Sequence, residues 1–296
     1  MIRNKIKNKI FRTRQLVKKA LEDLEGLRGG MARLEENLAP TGDGLAAWSP
    51  VIQTRVRRLF SLLQPHALVG LGKVRLGGQA DGGYVVPEDW GRVSSLFSLG
   101  VGPDNSFDLA FAEAGIGVQA FDHTITRLPV EHPKIRWHKK KIDVPREHSP
   151  HTCSLQEALK AENTTGEVAL KLDIEGWEYP VLLDCGEDEF RKIRFLVGEF
   201  HGLARNLEAD DTHILEAVFQ KLQKYFAVVH VHGNNAGGIR LLGGCLVPNH
   251  LEITWVNRAN YAIEPCRETF PTSLDRPNLP GRCDIWLGSF NFTRDP

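Results

Sequence analysis

The sequence predicts an α/β fold wound on both faces of a parallel sheet, and three observations carry that prediction. Short β-favouring runs alternate with amphipathic helical stretches from Ser95 to Val256, the rhythm of strand–helix–strand units. Glu167 to Ile174 is mostly apolar and bounded by Gly166 and Gly176, which is how a strand buried on both faces reads. Ser95-Leu-Phe-Ser-Leu-Gly100-Val-Gly102 ends in glycines before a helical stretch, and Asp122 closes the next run. A glycine turn, a helix and an acid about 20 residues on form a nucleoside-binding arrangement.

At 296 residues the chain can bury a sizeable core. Its 37 basic and 37 acidic residues balance, so no global field favours nucleic acid as a partner. No run approaches the roughly 20 apolar residues of a membrane span, and no continuous hydrophobic leader opens the sequence. Cys153, Cys185, Cys245, Cys266 and Cys283 are scattered without a CxxC pair. They read as reduced thiols of a cytoplasmic protein.

Taken in order, residues 1–38 stand apart. Eight basic side chains, Arg3, Lys5, Lys7, Lys9, Arg12, Arg14, Lys18 and Lys19, precede the first acid, Glu22. Ile10, Val17, Leu24 and Met31 fall at a positions of a heptad repeat, with Ile6, Thr13, Ala20, Leu27 and Leu34 at d. Gly29-Gly30 interrupts it after about three heptads. Two readings compete: a helix that pairs protomers into a homo-oligomer, and a basic helix touching an anionic membrane surface through residues 1–19. Pro40 to Pro50 reads as a linker. The expected division is therefore an N-terminal helix and linker, 1–48, and a globular domain, 49–296.

Within that domain, Thr54 to Leu63 reads as a helix, and Asp81-Gly-Gly-Tyr between β-favouring runs reads as a hairpin turn. Pro103 sits at an expected first helical position, ahead of Phe107 to Ala114. Asn105 occupies the third glycine's place of GxGxxG, so a nucleoside without a dinucleotide's diphosphate fits better. Pro133 to Lys140 gives a third strand that ends near Ile142-Asp143, and Ser154 with Glu157 a capping box. A helix near Trp177 turns Tyr179, Leu182 and Leu183 inward. The strand Phe195 to His201, the helix Asp210 to Phe219, and the strands Phe226 to Asn235 and Pro248 to Val256 follow. Pro265 to Pro280 reads as a surface-wrapping tail.

The chemistry concentrates at strand C-terminal ends, where ligands of open α/β sheets bind. Asp173 and Glu175 stand beside Gly176; the plain alternative is that Glu175 caps the following helix and Asp173 is merely solvated. Alternation puts Glu199 and His201 on one face of their strand, and His230 and His232 on one face of theirs. His-x-His beside Asn234-Asn235 is hard to explain as core packing, because buried imidazoles and amides need partners. Either one imidazole is a general base towards a hydroxyl, or Asp173, Glu199, His201, His230 and His232 hold a divalent metal.

Phe97-Ser-Leu-Gly-Val-Gly, Ala120-Phe-Asp, Leu170-Lys-Leu-Asp-Ile-Glu-Gly-Trp-Glu, Glu199-Phe-His and His230-Val-His-Gly-Asn-Asn together resemble the FkbM-type family of S-adenosylmethionine-dependent methyltransferases. Asp81-Gly-Gly-Tyr, Pro248-Asn-His-Leu-Glu-Ile-Thr and Leu274-Asp-Arg-Pro-Asn are similar to its bacterial branch. The Asp-Ile-Glu-Gly block is the most specific part. The resemblance implies a class I methyltransferase fold, a Rossmann-like, mostly parallel sheet of seven strands with the last antiparallel. It implies O-methylation, often of a sugar, which makes a sugar or glycan hydroxyl the acceptor. Gly100 and Gly102 would carry the cofactor's methionine side, Asp122 its ribose, and Asp143 would lie near the adenine, with Asp173 at the same edge. In the usual strand order, the strand ending at Asp173 lies beside that ending at Glu199 and His201. The antiparallel strand near His250 follows, and the strand ending at His230 and His232 is outermost. His232 or His201 is the expected base, with Asp173 and Glu199 orienting it. Two rivals remain at this point: a nicotinamide-dependent oxidoreductase on a related sheet, and a non-catalytic scaffold of a glycan-synthesis complex.

Overall fold

The computed structural model describes residues 45–144, 149–161 and 166–292. The N-terminal heptads, with their pairing and membrane readings, lie outside the described residues. Among those residues no helix is long and apolar enough to cross a membrane. All five cysteines are free thiols.

The elements follow in chain order: α1 (Leu45–Trp48), α2 (Pro50–Ser61), β1 (His66–Leu68), β2 (Lys73–Gly77), β3 (Gly83–Pro87), β4 (Ser95–Leu99), α3 (Ser106–Glu113), β5 (Gly117–Phe121) and β6 (Ile135–His138). Next come β7 (Lys141–Ile142), β8 (Thr152–Cys153), α4 (Leu155–Ala161), β9 (Val168–Leu172), α5 (Glu178–Asp184), α6 (Glu187–Lys192), β10 (Ile193–Phe200), α7 (Leu203–Ala209) and α8 (His213–Gln223). The chain closes with β11 (Phe226–Gly233), β12 (Ile239–Leu242), β13 (Cys245–Pro248), β14 (Leu251–Asn257) and β15 (Ile263–Pro265).

Seven strands form the main sheet in the order β11-β14-β10-β9-β4-β5-β6. β4, β5, β6, β9 and β10 run parallel, and β14 runs antiparallel to both β10 and β11. The fold class is the one the sequence predicts, and the order β11-β14-β10-β9 is the one the resemblance implies. β9 is central because it can be: all five of its residues are buried. Side chains alternate along it, so Leu170 and Leu172 enter one core while Ala169 enters the other. The first core packs under α2, α4, α5, α7 and α8 through Phe60, Leu159, Leu182, Leu207 and Phe219. The second packs under the β2–β3 hairpin and α3 through Tyr84, Val86, Phe107 and Phe111. Fully burying one such side chain is worth about 1.5–3 kcal/mol.

Several boundaries move, each for a local reason. α2 starts at Pro50, not Thr54, because the Ser49 hydroxyl accepts from the Ile52 amide and Pro50 stands at the first turn. The expected linker thus already contains α1. α3 starts at Ser106 instead of Pro103, since the Asp104 carboxylate accepts from the Ser106 amide at 2.7 Å. Leu183 is exposed in the last turn of α5. The Asp210 helix begins at His213, because Asp210 itself takes a left-handed φ of 58° to end the unforeseen α7. The predicted last strand starts at Leu251 instead of Pro248, because an unforeseen hairpin precedes it, with Cys245–Pro248 paired to Ile239–Leu242 across Gly243-Gly244. The expected capping box forms as read, with Glu157 accepting from the Ser154 amide and Ser154 from that of Glu157.

Candidate active site

The glycine turn after β4 is built around Asp122, the residue that follows β5. One carboxylate oxygen of Asp122 accepts from the amides of Val101 (2.9 Å) and Gly102 (3.0 Å). The other accepts from the Thr124 amide and hydroxyl at 2.7 and 2.6 Å. Burial alone would raise its pKa, but the Gly102, Thr124 and Val101 donors hold it at about 2. Asp122 is therefore already the anchor of the loop, and a ribose hydroxyl would have to share oxygens that carry five hydrogen bonds, the fifth from the Ile125 amide at 3.4 Å. Gly100 holds φ of +83°, and a Cβ there would lie 1.7 Å from the Asp173 carbonyl oxygen. Gly102, at φ +63°, has nothing within 4 Å of where its Cβ would stand, so backbone is open to a ligand there. Asp143 follows β7, with its carboxylate 2.8 Å from the Lys141 ammonium and accepting from the Val144 amide.

The turn after β9 carries Asp173, Ile174, Glu175 and Gly176. Asp173 accepts from the Tyr84 hydroxyl at 3.2 Å, which ties it to the hairpin strand β3. Lys171, buried inside β9, donates to the Gly100 carbonyl and lies 3.9 Å from the Asp173 carboxylate, so one ammonium joins both turns. Glu175 is held at φ 57° and its side chain is exposed. The residue that shapes this turn is Glu178. Fully buried, its carboxylate accepts from the amides of Ile174 (2.9 Å) and Gly176 (3.0 Å) and from His201 Nδ1 (3.1 Å). Neither Lys171 nor Glu178 is among the residues singled out above. A charged residue inside an otherwise apolar strand, and a second glutamate three residues after Glu175, were the available signals.

His201 turns Nε2 towards Glu175 (3.7 Å) and Glu199 (3.8 Å), both beyond hydrogen-bond length. Burial would lower its pKa, but the hydrogen bond and charge of Glu178, then Glu199 and Asp173, raise it to about 10. His232 differs. Its Nδ1 donates to Glu252 and its Nε2 to Asp284, each at 2.9 Å. Two acceptor-only carboxylates require two N–H groups, and its pKa rises to about 10 despite burial. His230 donates from Nε2 to Asp275 at 2.8 Å and faces the Lys73 ammonium with Nδ1 at 3.4 Å. Burial keeps it below the usual imidazole range.

These pairings correct two expectations. His232 has no ring nitrogen left to take a substrate proton, because Asp284 arrives from the tail to close it. The five residues proposed for a metal do not converge either: His230 and His232 are turned to Asp275, Glu252 and Asp284. Among the described residues, the groups with metal-ligand spacing are Glu199, His201 and His250, and Asp81, Glu199 and Glu252. Glu199 and Glu252 are direct Cα partners across β10 and β14, and His232 is the partner of Glu252 across β14 and β11. Glu199 also accepts from Asn234 (2.8 Å) and faces His250 Nδ1 at 3.0 Å. Burial, then the charges of Asp173, Glu252 and Asp81, push its pKa well above the carboxylate range, partly offset by His201.

Residues 88–226 match the methyltransferase FkbM domain. The match takes in the glycine turn, Asp122, the Asp173 turn, Glu178, Glu199 and His201, and stops at the first residue of β11. No curated protein matches the chain. Methyl transfer is thereby favoured over the nicotinamide-dependent rival.

Proposed function

We propose that this chain, which carries a methyltransferase FkbM domain over residues 88–226, uses S-adenosylmethionine to methylate a hydroxyl group of a sugar or glycan. The glycine turn supports the cofactor: Gly102 leaves open backbone beside a loop pinned by Asp122, and Asp173 adds a carboxylate at the same edge. The cofactor supplies an electrophilic methyl on a cationic sulfonium, and an acidic edge suits that charge. What the chain adds is placement of the acceptor oxygen and removal of its proton.

His201 is the residue to take that proton. Of the three candidate imidazoles it alone presents a ring nitrogen, Nε2, outside hydrogen-bond distance of its neighbours, while Glu178 fixes the ring from Nδ1. That single observation carries the assignment. Because the ring holds its proton to a pH of about 10 in the free protein, kcat/KM should rise with pH towards that value. The test is methyl transfer to a panel of nucleotide sugars and lipid-linked glycans, followed through release of the demethylated cofactor. His201→Ala should lower kcat by roughly 100-fold or more with cofactor affinity intact. Turnover with amines but no hydroxyl acceptor would overturn the acceptor class, and an unchanged His201→Ala rate would overturn the base.

A further inference from the structure

Two sequence features are left unused by the cofactor and the base. One is Asp81 in the turn of the β2–β3 hairpin, and the other is Asn278 in the proline-rich tail. The fold brings both to the Glu199–Glu252 pair. Ligand oxygens of Asp81, Glu199 and Glu252 all lie within 4.8 Å of one another. Glu199 and Glu252 are each 6% exposed, whereas Asp81 is exposed and opens the group to solvent. Solvated surface acids need no explanation, but two buried ones facing each other across paired strands do.

Asn278 supplies the second, independent observation. It is 3% exposed, and its side chain reaches between two of the carboxylates, with Nδ2 donating to Asp81 Oδ1 at 3.1 Å and to Glu252. Its Oδ1, on the same carbon as that nitrogen, is buried without a hydrogen-bond partner. An orphan carbonyl oxygen on the very amide whose nitrogen faces two of the carboxylates adds a fourth oxygen donor for a cation, since no donor among the described residues answers it. The carboxylates are themselves aimed from behind. His232 holds the far oxygen of Glu252, and Asn234 with His250 holds Oε1 of Glu199, the outer hydrogen bonding that orients metal ligands.

We infer that Asp81, Glu199, Glu252 and Asn278 bind a hard divalent cation of the magnesium or manganese class. The all-oxygen donor set selects that class over metals that prefer imidazole or thiolate. Exposed Asp81 leaves room for an acceptor oxygen on the open side of the ion, where its pKa would fall. That second role rests on the methyl-transfer reading above; the binding itself does not.

The test measures binding alone, on the full chain stripped with chelator, without cofactor or acceptor. Manganese titration followed by electron paramagnetic resonance should give one saturable site per chain, displaced by excess magnesium. Asp81→Asn and Asn278→Ala should each weaken it at least tenfold. Asp81 is exposed, so its variant reports binding even if a buried substitution fails to fold. Absence of a saturable manganese or magnesium site in the wild type would overturn the inference, as would full affinity in Asp81→Asn. Loss of binding in His250→Ala with Asp81→Asn unaffected would assign the ion to Glu199, His201 and His250 instead, and overturn it equally.

Discussion

Glu178→Gln is the most informative single change, because it alters one buried atom and touches both the turn and the base. The carboxylate has three hydrogen-bond donors pointed at it: the amides of Ile174 and Gly176, and His201 Nδ1. An amide side chain of the same shape keeps one acceptor oxygen. The other becomes an NH2 group facing an N–H, which leaves a buried donor unsatisfied at about 1–3 kcal/mol. The remaining bonds fall from charge-assisted to neutral, a loss of about 1 kcal/mol each. The turn also holds Glu175 in the left-handed region, a conformation that needs surrounding bonds to persist. Together these give an expected destabilisation of about 3 kcal/mol, read from urea unfolding. In the same variant His201 loses the largest influence raising its pKa, so its titration should drop from about 10 towards the ordinary imidazole value. Histidine NMR resonances, or the rising limb of kcat/KM, would show it. Stability within 0.5 kcal/mol of wild type, or an unmoved His201 titration, would refute this account of the turn.

Three further outcomes follow from the same pairings. Asp122→Ala strips the acceptor from the Val101 and Gly102 amides, so S-adenosylmethionine affinity measured by calorimetry should fall by roughly tenfold or more. His232→Ala leaves buried Glu252 and half-buried Asp284 without that partner and should lower stability by about 3 kcal/mol, with any rate loss recovered at low temperature. A rate loss that persists in fully folded protein would reinstate His232 in the chemistry. Stability should also depend on pH from both sides. The depressed Asp122 pKa contributes about 2 kcal/mol that is present above pH about 4 and lost as pH falls towards 2. The raised His201 and His232 contributions are whole below about 6.5 and lost as pH climbs through about 10. Denaturant midpoints across that range check both limbs, and a profile flat to pH 10 would contradict the imidazolium assignments.

The sheet was legible because its strands declare themselves: β9, β4 and β10 are short apolar runs ended by glycine or acid, and burial on both faces needs little else. Alternation likewise identified Glu199 with His201, and His230 with His232, as same-face pairs. What lay opposite them was not legible. Asp275, Asn278 and Asp284 come from a C-terminal stretch with no periodicity, and Asp275 and Asp284 decide that His230 and His232 are paired and not free. Glu252 was legible as a strand residue, but its place beside Glu199 depends on the register of β14 against β10. Gly243-Gly244 was the overlooked local signal for the β12–β13 hairpin, since adjacent glycines supply two positive φ values.

The accumulation of acid at this edge is the feature least explained by folding. β14 runs against its neighbours, so its first residues meet the last residues of β10, and Glu252 lands opposite Glu199. With Asp81 within 4.8 Å of both, each pair of charges repels by about 3 kcal/mol at an effective dielectric near 20, less where water screens it. Burial and its acidic neighbours favour the protonated form of Glu199, and the His232 imidazolium partners Glu252, so the repulsion that remains is chiefly that of Asp81 against Glu252, which a cation standing among them would offset. Asp81→Asn isolates that term. The new side chain keeps an oxygen for the Asn278 amide and removes one charge at an exposed position. The protein should become more stable by about 0.5–1 kcal/mol, the scale left after solvent screening, while losing cation affinity. A site kept for function commonly shows this opposition between stability and activity. In saturating magnesium the ranking should reverse, because the wild type then gains the binding energy that the variant lacks. If Asp81→Asn is less stable than wild type without added cation, the repulsion is already compensated within the protein and the acidic edge is structural.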